Sequence, residues 1–197
     1  VITRERSRQV FEFAFELARS RASAGGKSKG TLVDKANVFS SMAFFRKVFD
    51  EVAATHTDIE TERLYVDACA LDLVRRPWEF DVLVTENMFG DILSDLAAGL
   101  VGGMGFAPSA DIGDSRAVFQ PAHGSAPDIA GKGIANPTAA ILSGAMMLDW
   151  LGRKHQLSSC LDAARLIEEA VEQALQGGAE AFSSTVGMTQ RVMDAIG

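Results

Sequence analysis

Cysteine is scarce. The 197 residues contain only Cys69 and Cys160, far apart and without C-x-x-C spacing. That excludes a disulfide-stapled secreted scaffold and points to a reducing, cytoplasmic setting. Positive charge is also short, with 19 Lys plus Arg against 26 Asp plus Glu and a net charge of -7. A chain of this balance has no basic surface for a phosphate backbone, so nucleic acid is not an expected partner. Long apolar runs are missing too. The most apolar stretch, Ala139 to Leu151, falls short of the about 20 residues that cross a bilayer. The opening Val1-Ile2-Thr3-Arg4-Glu5-Arg6 is interrupted by charge and reads as neither signal peptide nor anchor, so no membrane partner is expected. Internal repeats and low-complexity tails are absent. The chain starts on valine rather than methionine, which hints at a fragment or a processed product.

What is present is 47% apolar and 23% charged residues, the composition of a globular protein able to bury a substantial core in one large domain or parts of two. Apolar residues recur at helical spacing from Arg4 to Arg21, then a Gly/Ser/Lys turn breaks the pattern before Thr31-Leu32-Val33, a short strand. A second helix is expected from Ser41 to Ala54, with Met42, Phe45, Val48, Phe49 and Val52 on one face. Ile59 to Asp67 reads as a strand, and Ala68 to Val74 as a helix stopped by Pro77. Asp81 to Thr85 has the β-branched character of a buried parallel strand and leads into a helix from Phe89 to Leu100. The glycines 99, 102, 103 and 105 with Pro108 mark a bend or a passage between subdomains. Val118 to Pro137 is rich in Gly, Pro, Ala and Ser and reads as an extended loop. Helices over Thr138 to Leu151, Cys160 to Leu175 and Ser184 to Ile196 complete the pattern. Strands alternating with helices make the fold class α/β.

Four groups of residues carry candidate chemistry. Asp91 and Asp95 stand four apart, so a helix projects both from one face; they can share a hard cation such as Mg²⁺ or Mn²⁺, or form a solvated acidic face favoured by the helix dipole. Asp67 is an isolated carboxylate at the junction of an apolar strand and a helix, where it reads as a helix cap. Lys35 emerges from the end of the first strand, as a surface ion-pair partner of Asp34 or another acid, or as a general base if enclosed beside a metal. The stretch from Pro121 to Pro137 keeps its residues small, which lets backbone approach a ligand closely. Within it Asp128 offers an acceptor for ribose hydroxyls, and His123 and Asn136 offer ring and amide contacts.

Other signals fail. Gly26-Lys27-Ser28 lacks the P-loop's earlier glycine, which is Arg21 here. Gly103-Met104-Gly105 meets Pro108 where a dinucleotide fingerprint wants glycine. His56, His123 and His155 are too scattered for a zinc site. Ser125 lies between His123 and Pro127 rather than between the glycines of a nucleophile elbow.

Taken together, Asp34-Lys35-Ala36-Asn37-Val38, Tyr65-Val66-Asp67-Ala68, Asn87 through Asp95 and His123 through Pro137, in this order and spacing, closely resemble the isocitrate/isopropylmalate dehydrogenase family of metal-dependent β-decarboxylating dehydrogenases. The resemblance covers nearly the whole chain but only about the C-terminal half of a usual member. It implies an isopropylmalate dehydrogenase-like α/β fold, incomplete and non-Rossmann. Residues 1–101 would form part of the central dimerisation and metal domain, and residues 102–197 the C-terminal part of the cofactor-binding domain. It also implies Mg²⁺ or Mn²⁺ held by Asp67, Asp91 and Asp95, with Lys35 as general base for the substrate hydroxyl. Lys35 and Asp67 would be catalytic and reach into the partner's site, so a homodimer is implied. Asn37 would lie near the nicotinamide, and His123, Gly124, Ser125, Ala126, Asp128, Ile129 and Asn136 would surround the adenosine. A carboxylate at Asp128 repels a 2′-phosphate, which favours NAD over NADP.

Two departures stand out. Gln120 replaces the glutamate that usually precedes the proline of the adenosine loop. The family's substrate-clamping arginines and proton-donor tyrosine belong to the N-terminal half and have no counterpart here. The expected activity is NAD- and metal-dependent oxidative decarboxylation of a 2-hydroxy diacid, 3-isopropylmalate or isocitrate in type, or tartrate or malate. The rival expectation is a non-catalytic truncated relative that dimerises or binds nucleotide and metal.

Overall fold

The computed structural model describes residues 1–176 and 184–197. They divide into two compact units, Val1–Ala97 and Ala98–Gly197. In the first, helix α1 (Arg4–Ser23) opens on Thr3, whose hydroxyl accepts the Arg6 backbone N–H at 3.3 Å. Its buried Phe11, Ala14, Phe15 and Ala18 follow the i, i+3, i+4, i+7 pattern of one apolar stripe. Strand β1 (Lys29–Asp34) is buried from Gly30 onward. Helix α2 (Ser40–Ala53) buries Met42, Phe45, Val48, Phe49 and Val52, the face that the sequence pattern predicts. Strand β2 (Glu60–Tyr65), helix α3 (Val66–Arg75), a 3-10 turn over Pro77–Glu79, strand β3 (Val82–Val84) and helix α4 (Asn87–Leu100) follow.

Strand β1 pairs in parallel with β2 on one side and β3 on the other. Its residues alternate between two cores, as the two-residue repeat of a strand requires. Leu32, with Val82 and Val84, packs among Phe11, Phe15, Phe45, Phe49 and Val52 of α1 and α2. Val33 packs among Cys69, Leu73 and Leu93 of α3 and α4. Helices therefore cover both faces of the sheet, and a central strand buried on both faces is expected of a parallel arrangement. The chain passes from β1 to β2 and then back across β1 to β3. This reversal makes the carboxyl ends of the strands the place where a parallel sheet opens to a ligand.

In the second unit, strands β4 (Pro108–Ile112) and β5 (Ala117–Pro121) form an antiparallel hairpin. Helix α5 (Thr138–His155) packs on both strands, α6 (Ser158–Leu175) on α5, and α7 (Thr185–Ile196) on α6. Ala170, Val171, Ala174, Met188 and Val192 make the core between the last two helices. Gly152 lets α5 meet α6 closely: a Cβ there would sit 2.6 Å from Leu161 Cδ2.

Two expectations need correction. The first four residues of the expected Val118–Pro137 loop belong to β5, which pairs Val118 with Asp111 and Gln120 with Ser109. Alternation over so few residues is too brief a signal against the Gly/Pro-rich background. The second strand stops at Tyr65 and α3 starts at Val66, so Asp67 lies inside the first helical turn and does not cap it.

Candidate active site

The three parallel strands end at one edge of the sheet, and the residues that follow them carry most of the candidate chemistry. After β1 the chain turns tightly: the Val38 and Phe39 N–H groups both donate to the Lys35 carbonyl at 3.0 Å. Asn37 stands exposed in that turn. The turn is anchored by Asp34, whose side chain is 0% exposed. Asp34 accepts the Arg46 Nε and Nη2 donors, each at 2.7 Å, and the Ala36 backbone N–H at 2.9 Å. Asp34 is therefore not the partner of Lys35. The Lys35 ammonium instead donates to the Asp67 carboxylate and lies 5.6 Å from the Tyr65 ring centroid. The Arg46 guanidinium lies 5.2 Å from the same centroid. The hydrogen bond from Lys35, and then that from its own backbone N–H, hold the Asp67 carboxyl below the usual carboxylate range.

Strand β3 delivers α4. The Thr85 hydroxyl donates to the Val33 carbonyl at 2.7 Å, tying β3 to β1 beyond their ladder. Glu86 satisfies two N–H groups at the start of the helix, accepting from Met88 at 3.1 Å and Phe89 at 2.9 Å. Phe89 and Leu93 are buried while Asp91 and Asp95 are exposed, so the two carboxylates share a solvent side as their spacing predicts. Neither lies in the first turn of α4, where the helix dipole would act most strongly. No ion pair engages either of them among the described residues. Among the described residues of one chain, Asp67, Asp91 and Asp95 are not gathered into a metal-holding group.

The His123–Asn136 segment belongs to the second unit and is largely exposed. It is held by local bonds. The Ala122 N–H donates to the Ala107 carbonyl at 3.0 Å, and His123 Nδ1 lies 2.8 Å from the Gly124 carbonyl. Ala126 adopts a left-handed φ of 43°, and Asp128 falls in a 3-10 turn over Pro127–Ile129. Farther on, the Gly133 and Ala135 carbonyls accept from Thr185 N–H (2.9 Å) and Oγ1 (2.5 Å) at the start of α7. Asn136 uses its Oδ1 to accept the Thr138 N–H at 3.0 Å, at the first residue of α5. Gly105 allows this: a Cβ there would meet Asn136 Cβ at 2.9 Å.

Sequence reasoning assigned no role to Arg46, Tyr65 or Glu86, and gave Asp34 only as a partner for Lys35. An acid three residues before the helical pattern that opens at Phe89 was a readable sign for Glu86. The Asp34–Arg46 pair spans twelve residues across a turn and had no local signal.

The sequence profile of the isocitrate/isopropylmalate dehydrogenase family matches residues 1–194. The chain belongs to this family. It is 50% identical over 179 residues to a 3-isopropylmalate/3-methylmalate dehydrogenase of Methanocaldococcus jannaschii, covering 90% of this chain and 52% of the relative. It is 47% identical to an isocitrate/homoisocitrate dehydrogenase of Thermus thermophilus, covering 100% of this chain and 57% of the relative. Among solved structures, isocitrate dehydrogenase from Methylococcus capsulatus matches with a TM-score of 0.88 at 44% identity, over 100% of this chain and 57% of that one. The chain spans about half the length of the curated relatives it matches. The fold is thus the α/β fold of these dehydrogenases over that span. No helix among the described residues is long and apolar enough to cross a membrane.

Proposed function

We propose that this chain carries part of the machinery of an NAD- and Mg²⁺- or Mn²⁺-dependent oxidative decarboxylase of a 2-hydroxy diacid, 3-isopropylmalate or isocitrate in type. The Lys35–Asp67 ion pair at the carboxyl edge of the sheet is the observation that carries this reading. In it, residues 1–101 belong to the metal and dimerisation domain and residues 102–197 to the cofactor-binding domain.

Asp91, Asp95 and Asp67 supply only oxygen, the donor set that suits Mg²⁺ or Mn²⁺. The exposure of Asp91 and Asp95, free of ion pairs among the described residues, supports this role. Asp67 is committed to Lys35 in its own chain, which fits service of both residues at the site of a second copy. Leu71 and Val74 of α3, and Met88 and Ile92 of α4, are exposed apolar side chains, and they support a homodimer that covers them. A bound cation would act as a Lewis acid on the substrate's oxygens, and the nicotinamide would take the hydride. Lys35, as the neutral amine, accepts the hydroxyl proton directly or through a water, and Asp67 holds the ammonium so formed. Asn37 contacts the nicotinamide end. His123, Gly124, Ser125, Ala126, Ile129 and Asn136 surround the adenosine, and Asp128 accepts from the ribose hydroxyls and repels a 2′-phosphate.

The test is NADH formation by the purified chain with Mn²⁺, NAD and a panel of 3-isopropylmalate, isocitrate, tartrate and malate, alongside calorimetric binding of Mn²⁺ and NAD. Turnover abolished by a chelator is the expected result and names the substrate. A folded chain that binds both without turnover is a dimerising or nucleotide- and metal-binding module. A folded chain that binds neither overturns the reading.

A further inference from the structure

We propose that Asp34 and Arg46 are positioning residues that aim Lys35 at Asp67. Asp34 ends β1 and directly precedes Lys35; its carboxylate is fully buried yet fully engaged, by two donors of Arg46 and by the N–H of Ala36 on the far side of Lys35. The backbone of Lys35 is thereby held from both flanks. Arg46 reaches this carboxylate from α2 and at the same time lies against Tyr65, the register partner of Asp34 on β2. Tyr65 stands two residues before Asp67, and its ring also meets the Lys35 ammonium. One guanidinium therefore bridges the ends of the two strands whose next turns carry Lys35 and Asp67.

A buried ion pair adds little stability over well-packed apolar residues, and its best-attested use is to fix one arrangement over others. The partner must be arginine. Only a planar fork makes two parallel bonds to a carboxylate and lies on an aromatic ring; a lysine ammonium is a point charge. The purpose of the aimed amine rests on the reading of Lys35 as general base, but the geometry does not.

The experiment compares acetylation of individual lysines, read by peptide mass spectrometry, in the wild-type chain, Arg46→Lys and Arg46→Gln. Lys35 is expected to react slowly in the wild type, several-fold faster in Arg46→Gln and to an intermediate degree in Arg46→Lys. Lys132, in the other unit, is the unchanged internal reference. Val52→Ala, a core truncation on the same helix, lowers stability without touching the bridge and is expected to leave Lys35 as in the wild type. Unchanged Lys35 labelling in folded Arg46 variants, or an equal rise in Val52→Ala, overturns the proposal. If Arg46→Gln does not fold, Arg46→Lys decides. Lys35→Ala in the NADH assay tests the other reading: turnover retained there removes the general-base role while the labelling result stands.

Discussion

Cys69 and Asp34 are both fully buried, but their surroundings differ. Asp34 meets Arg46 and a backbone N–H, whereas Cys69 sits among Val33, Leu73 and Leu93. Burial, with smaller contributions from Asp72 and Glu62, pushes the Cys69 thiol from 9.0 up to about 11. A thiol so placed is a poor nucleophile. A thiol reagent is expected to modify partly exposed Cys160 in the folded chain and Cys69 only on unfolding. Between pH 9 and about 11 the unfolded chain loses this proton while the folded chain keeps it. The unfolded state then binds fewer protons, so stability falls as pH rises through that window. Urea midpoints at both ends of the window, for the wild type and Cys69→Ala, check the sign. For Asp91, the substitution Asp91→Asn removes an anionic oxygen and is expected to weaken Mn²⁺ binding by about tenfold or more, comparable to losses from disturbing a metal's ligand environment. Calorimetry reads it, and unchanged affinity removes Asp91 from the proposed site. Lys35, Asp67, Asp91 and Asp95 could be singled out as candidates because each sits in a short, contiguous motif. Arg46 was not, because its role depends on a strand end twelve residues back.

Elements whose stability comes from a sustained apolar face were readable from their periods. Helix α2 is the clearest case, since its predicted face is the one that meets α1 and β1. Phe49 lies at its centre, 5.2 Å from the Phe11 ring centroid and 5.4 Å from that of Phe15, with no exposed surface. Phe49→Ala is expected to cost about 3–5 kcal/mol from lost transfer energy plus the cavity left behind, read as a fall in the urea midpoint at unchanged slope. The β4–β5 hairpin was not readable. Its strands are short, and their regularity comes from pairing with each other and covering by α5 rather than from any pattern within Pro108–Ile112. The start of α3 was misplaced by two residues for a related reason. Val66 has strand preference, but its side chain packs against the cluster of Val33, Cys69, Leu73 and Leu93 as the first residue of a helix.

At the scale of the molecule, two compact units each hold their own core, one built on a parallel sheet and one on a hairpin under helices. The catalytic and metal candidates fall in the first unit, and the candidate nucleotide loop falls in the second. The α/β class, the order of most elements and family membership followed from sequence alone. Helical and strand periods and contiguous motifs are local properties, set by side chains a few residues apart. Contacts between distant residues needed the tertiary structure. It decided that Lys35 pairs with Asp67 and not with Asp34, that Arg46 satisfies Asp34 and bridges to Tyr65, and that Glu86 supports α4. A buried carboxylate must find a partner wherever the packed chain brings one, and that meeting is fixed by the register of β1 against β2 and the seating of α2 on the sheet.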